Sequence, residues 1–216
     1  MSPETAKAQE TKTKLLEGAL RTLTEQGIAK TSARTVAAAA GVNQALVFYH
    51  FGSVDELLAA ACRYGAEKSV AAYRPRLAAV SSLSELLAVG RQIHEQERAG
   101  GHVALLGQLL AGAPTHAAVG PATSAGLDLW IAEIEAVLRR VLAGTPFGEF
   151  ADPAGLARAV AASFVGIELY EQVDAGGAGA ALDALEQLGV LVAALEELGP
   201  VAQRAVRHHL RRAGRR

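Results

Sequence analysis

Thr31 to Leu58 reads TSARTVAAAAGVNQALVFYHFGSVDELL. It is two short helical segments hinged on one glycine, followed by the start of a longer helix. A helix-turn-helix needs two short helices that cross steeply at a tight turn, with the second free to enter a major groove. Gly41 is the residue that tolerates positive φ at such a turn. Val36, Ala37, Ala40, Val42 and Val47 are the small or apolar positions that let the two helices approach. Ser32 or Thr31 caps the first helix and Asn43 the second. Ser53-Val54-Asp55-Glu56 is a capping box that opens the longer one. Ser32, Arg34 and Thr35 at one helix start, and Asn43, Gln44 and Ala45 at the other, are left to face outward, where free amides also favour phosphate.

Working outward, Leu16, Ala19, Leu20 and Leu23 fall at i, i+3, i+4 and i+7, the stripe of an amphipathic helix. That helix is expected from about residue 8 to Gln26, ended by Gly27 in the left-handed conformation. The helix opened by Ser53 is expected to end near Pro75. A second capping box, Ser82 with Glu85, starts a helix to about Arg98. Further helices are expected over 102–111, 125–143, 153–172, 181–198 and 201–212. Asp152-Pro153 is an acidic cap followed by proline at the first helical position. Glycine- and proline-rich loops are expected at 112–121, 144–151 and 175–179. No strand-like alternation of useful length and no internal repeat occurs, so the expected class is all-α.

The chain has 216 residues, half of them apolar, with alanine and leucine dominant and aromatics at 5%. That favours helices over sheets. The net charge of −1 conceals a gradient. Residues 1–52 carry six Lys/Arg against four Asp/Glu, residues 53–203 nine against eighteen, and residues 204–216 six Arg and no acid. A basic head on an acidic body suits a protein whose first segment alone meets phosphate, although a solvated charge pattern accounts for it too. The single cysteine, Cys62, excludes an intramolecular disulfide and suits a reducing cytoplasm. The apolar run Leu188–Leu195 falls far short of the roughly 20 residues that cross a bilayer. Ser2-Pro3-Glu4 begins no signal-peptide apolar region. A cytoplasmic chain with no membrane partner is expected.

Thr31–Leu58 resembles the DNA-binding signature of TetR-family regulators. There, a Thr/Ser-led second helix ends in Ala-Gly-Val, a short recognition helix rich in Tyr, His and Phe follows, and a small residue pair opens a long fourth helix. The likeness spans about a quarter of the chain and holds in spacing as well as residue type. It implies a three-helix DNA-binding domain over residues 1–52 and a helical effector-binding and dimerisation domain over 53–216. By position, Arg34 resembles the second-helix arginine that reads a base or phosphate. Gln44 and Ala45 stand where base edges are met, since Gln can pair with adenine and Ala can touch a thymine methyl. Phe48, Tyr49 and His50 stand on the phosphate side, and Phe51 resembles the aromatic that pins the recognition helix to the core. Phe48 replaces a common tyrosine, Leu46 a small polar residue and Val54 a frequent lysine.

The resemblance further implies a homodimer on a palindromic operator of double-stranded DNA, usually as a repressor, and release by a small-molecule effector. One apolar stripe runs through Leu156, Ala159, Val160, Ser163, Phe164 and Ile167, another through Leu185, Leu188, Val192 and Leu195. Two such helices per subunit would form a four-helix interface; the same stripes also serve as monomer core. His94, His102, Gln108, Trp130 and Glu168 are polar or amphipathic residues within apolar helices, the kind an effector pocket uses, and equally the kind a core satisfies internally. The effector itself is not legible.

No constellation points to catalysis, metal or cofactor. His94-Glu95-Gln96-Glu97 lacks the second histidine of a zinc-protease helix, since Arg98 stands there. His208 and His209 diverge by about 100° on a helix. Gly176–Gly179 lacks the Lys-Ser/Thr end of a phosphate loop. Two other classes share the helical frame: a protein-interaction module, and a small-molecule-binding protein that ignores DNA. A Val54→Lys variant should steepen the salt dependence of duplex binding by about one ion per subunit; an unchanged log–log slope contradicts this reading.

Overall fold

The structure, a computed structural model, describes residues 3–114, 117–143, 145, 148–196, 204, 205 and 208. Among these residues the chain is all-helical. The elements are α1 (Pro3–Gln26), a 3-10 turn (Ile28–Lys30), α2 (Ala33–Ala40), α3 (Ala45–Phe51), α4 (Val54–Ala79), α5 (Leu83–Ala99), α6 (His102–Gly112), α7 (Val119–Leu142), α8 (Pro153–Glu171) and α9 (Ala175–Glu196). The expected helix at 201–212 lies outside the described residues except at 204, 205 and 208.

The chain divides into two compact units, one of residues 1–71 and 97–129, the other of 72–96 and 130–216. The first is built on α1. Its Leu15, Ala19 and Leu23 are fully buried with Val36 and Ala37 of α2, Val47 of α3, Leu57 and Leu58 of α4, and Leu105 and Leu109 of α6. Each buried leucine contributes about 1.5–3 kcal/mol of apolar transfer. The second unit buries Tyr73 and Leu77, Leu86 and Ile93, Val137, Leu138 and Val141, and Ala157.

Several helix ends depart from the sequence expectation, each for a physical reason. α1 begins at Pro3, a residue suited to the first helical position because it has no amide hydrogen to leave unpaired. Gly27 has positive φ, but its ψ of 166° takes it out of the left-handed helical conformation, and a 3-10 turn follows. α4 runs through Pro75 to Ala79. Proline removes the bond to the Ala71 carbonyl, but both residues are exposed, so that carbonyl is not a buried unpaired acceptor. The helix is ended instead by Arg140, whose guanidinium donates to the carbonyls of Leu77 (2.9 Å) and Val80 (3.0 Å). α7 begins at Val119, inside the expected loop, with Pro121 in the first turn where amides are free anyway. α9 begins at Ala175 and takes the expected 175–179 loop into its first turn. The Asp174 carboxylate accepts from the Gly177 amide (2.9 Å) and from the Tyr170 hydroxyl (2.9 Å), and these bonds hold its pKa down.

Two expected caps are present in part or in altered form. Ser53 Oγ accepts from the Glu56 amide at 3.1 Å. Ser82 Oγ accepts from the Glu85 amide, while the Glu85 carboxylate reaches one residue further back than a capping box requires, to the amide (2.7 Å) and hydroxyl (2.9 Å) of Ser81. Arg140→Met should lower stability by about 1.5–3 kcal/mol, the usual worth of hydrogen bonds from a charged donor. Thermal and urea unfolding measure it, and an unchanged midpoint would remove Arg140 as the stop of α4.

Candidate nucleic-acid interface

The helix-turn-helix is set by how closely α1 and α2 approach. A Cβ at Gly18 would stand 2.9 Å from Ala40 Cβ and 3.1 Å from the Val36 carbonyl oxygen, so only a hydrogen fits there. α2 is capped by Ser32, whose hydroxyl accepts from the Thr35 amide (3.2 Å), while Thr35 Oγ1 accepts from the Ser32 amide (2.9 Å). This is a capping box with threonine in the glutamate place. α2 ends at Gly41, with φ 65° and ψ 34°, the left-handed conformation expected of the turn. Asn43 Oδ1 then accepts from the Ala45 amide at 2.8 Å and starts α3. α3 turns by 69° into α4 across Gly52, another positive-φ glycine.

These bonds sort the predicted residues by what they are free to do. The hydroxyls of Ser32 and Thr35 and the side-chain oxygen of Asn43 are spent on caps. Arg34, Gln44 and Ala45 are exposed, and Arg34 has no ion pair among the described residues. Tyr49 is 79% and Phe48 49% exposed, high for aromatic side chains in a core-bearing unit. Val47, between them and the turn, is fully buried, and Phe51 packs against the same core. One face of α3 is therefore fixed and the other is open. His50 meets Tyr49 edge-on, ring centroids 4.9 Å apart. Its pKa is lowered, first by partial burial and then by the Lys12 ammonium. Val54 is half-buried against this core, which accounts for an apolar residue at that helix start.

The five candidate effector residues are divided between the two units. His94, Trp130 and Glu168 belong to the second unit, His102 and Gln108 to the first. His94 is 2% exposed. Its Nε2 lies 3.2 Å from the Glu171 carboxylate and its ring stands edge-on to Phe164. Its Nδ1 has no hydrogen-bond partner among the described residues. Glu168, 4% exposed, lies one turn before Glu171 on α8. Trp130 stacks obliquely on Tyr73 at 5.8 Å. Glu171 and Tyr73 were missed by the sequence reading. The i, i+3 spacing of Glu168 and Glu171 on an apolar helix was the available signal for the first. In the first unit, His102 Nδ1 sits 2.9 Å from Glu97, which raises its pKa, and Gln108 accepts from the Ile28 amide.

Of the two apolar stripes, Leu156 and Leu188 are exposed, at 41% and 57%. Val160, Ile167 and Leu185 are half-buried, and Phe164 packs against the second core. The side chains of Val192 and Leu195 lie outside the described residues. Exposed apolar residues beyond the stripes are Leu169, Tyr170 and Val173 near the end of α8, and Val190 and Leu191 on α9. No group of three or more potential metal ligands occurs among the described residues, and no single described helix is long and apolar enough to cross a membrane.

Residues 15–61 match the family described as bacterial regulatory proteins, tetR family. Comparison with curated proteins gives no match. Among solved structures, the chain is similar to a protein from Rhodococcus sp. described as a TetR-family transcriptional regulator, with 22% identity over 83% of this chain and 96% of that one, TM-score 0.71. It is similar to FadR, a fatty acid degradation regulator from Bacillus halodurans, with 15% identity over 82% and 93%, TM-score 0.67. At those identities the likeness establishes the fold. EbrR, a multidrug binding protein in complex with imidazole, shares 28% identity over 81% of this chain and 93% of its own, TM-score 0.58.

A phosphate beside His50 would favour its charged form. Duplex binding should then take up a proton, with affinity rising as pH falls. The gain is complete below the lowered pKa of the free protein and lost as pH rises through the higher pKa of the complex. Affinity measured across about pH 5 to 8 should show this in the wild type and lose it in His50→Gln. A pH dependence unchanged by that substitution removes His50 from the interface.

Proposed function

We propose that this chain, a TetR-family DNA-binding transcription regulator by its helix-turn-helix, works as a homodimer on a palindromic operator and is released from it by a small molecule, so that it represses in the effector's absence. The observation that carries the reading is the division of labour in α2 and α3. Ser32, Thr35 and Asn43 satisfy backbone, while Arg34, Gln44, Ala45 and Tyr49 are exposed beside them. Arg34 is suited to a phosphate or guanine edge, Gln44 to adenine, Ala45 to a thymine methyl. Phe48, Tyr49 and His50 flank the backbone. Residues 1–52 are the DNA-reading part and residues 53–216 serve effector and partner.

One such module offers few base contacts, and two of them spaced by a helical turn of about 34 Å supply the rest. Support for a dimer lies in α8 and α9, where Leu156, Leu169, Tyr170, Leu188, Val190 and Leu191 expose apolar surface of a kind that marks association sites. Val160, Phe164, Ile167 and Leu185 would line the inner side of that four-helix contact, with Val192 and Leu195 continuing its sequence pattern.

The effector site belongs with His94, Glu168 and Trp130, together with Glu171. A buried histidine, the buried Glu168 carboxylate and the partly buried Glu171 carboxylate against that histidine are the few placed polar groups a ligand site uses. They suit a nitrogenous ligand with N–H donors. EbrR is seen with two nitrogen heterocycles, imidazole and proflavin.

A footprint on DNA flanking the protein's own gene should show a protected palindrome, erased by adding cell extract as the effector source. Arg34→Ala and Gln44→Ala should each weaken that binding about ten-fold or more, since a good base contact is worth about 1–3 kcal/mol. A protein that binds small molecules or another protein, but no duplex at low salt, would overturn the reading.

A further inference from the structure

Gln108 lies on α6, two turns beyond its start, in the same compact unit as α1 and α2. Its carboxamide oxygen accepts from the Ile28 amide at 3.3 Å. That amide has left the α1 ladder, whose last bond runs from Gly27 to Leu23, so without Gln108 it would be an orphan donor in a part-buried place. The same oxygen stands 3.0 Å from where a Cβ at Gly27 would be, and Gly27 has φ 83°, so only glycine lets the amide reach. At the start of α6 the fit repeats: Gly101, at φ 75°, would bring a Cβ to 3.0 Å from Thr24 Cγ2. α6 is thus seated against the end of α1 at two places, Gly101 before its first residue and Gln108 within it, with Leu105 buried between.

From Ile28 onward the hydrogen bonds are continuous. Thr31 Oγ1 donates to the Gly27 carbonyl (2.9 Å), and Thr35 Oγ1 is within 3.1 Å of the Lys30 carbonyl while it shares the α2 cap with Ser32. Arg34 stands between Ser32 and Thr35. No slack joint separates the Gln108 amide from the side chain expected to meet DNA.

We infer that Gln108 is a positioning residue for DNA reading: by holding the Ile28 amide it fixes the turn between α1 and α2, and with it the angle at which α2 presents Arg34. The inference rests on the DNA-binding reading above. It also assigns Gln108 to the backbone of the reading head rather than to an effector.

The test uses the full-length chain and the duplex protected in the footprint, and compares Gln108→Leu, which keeps the bulk and loses the acceptor, with Gln108→Glu, which keeps an acceptor. Gln108→Leu should weaken binding about 3- to 10-fold, the range one net hydrogen bond supplies. The log–log salt slope should not change, because no phosphate contact is lost. Gln108→Glu should bind as the wild type does. Should Gln108→Leu fail to fold, Gln108→Asn, whose amide is one carbon short of Ile28, gives the same comparison. Wild-type affinity in Gln108→Leu, a loss shared equally by Gln108→Glu, or a shallower salt slope would overturn the inference. Failure of the wild type to bind any duplex would instead overturn the DNA-binding reading itself.

Discussion

The reading head depends on the approach of two backbones at Gly18. Because no Cβ stands there, α2 comes within contact of α1 through Ala40 and the Val36 carbonyl. α2 then buries its Val36–Ala37 edge, and rotation about its axis would expose it. Gly41, in the left-handed conformation, turns the chain out of α2, and Val47 plugs α3 into the same core. A helix fixed along one edge by a fully buried valine must present its opposite edge to solvent. The outward display of Gln44, Ala45, Phe48 and Tyr49 is a consequence of packing on the other side.

Economy of polar groups completes the arrangement. The unpaired amides at the starts of α2 and α3 are met by Ser32, Thr35 and Asn43, short side chains that cannot reach far from their own backbone. The residues left unspent are the long arginine and glutamine and the aromatic pair, which do reach. Cap and exposed residues alternate within a few positions of each other, so the sequence places its outward-reaching side chains only where the local fold is already secured. The charge gradient has the same sense, with the acid excess carried beyond residue 53.

Legibility followed the range of the interactions. The helix-turn-helix was readable because the cap at Ser32, the glycine at 41 and the Asn43 turn all act within four positions. The approach of Gly18 to Ala40 that seats α2 on α1 is long-range and was not legible. The end of α4 was not, because it is fixed by Arg140, sixty-odd residues away in sequence, rather than by Pro75. The start of α9 was obscured by its glycines, which look like a loop until Asp174 is seen to cap them. The five polar residues offered for an effector could be picked out by type, but their partition between two units depends on tertiary contact. Glu171, which pairs with His94, carried only the weak signal of its spacing from Glu168.

The most direct test of the central claim is amide hydrogen exchange on a Gly18→Val variant, with duplex binding measured on the same sample. Forcing a branched side chain into the gap between α1 and α2 should strip protection from the amides of α2 and α3 and abolish binding, while protection in the unit built on Val137 and Leu138 is kept. Full protection of α2 together with wild-type duplex affinity would contradict the account.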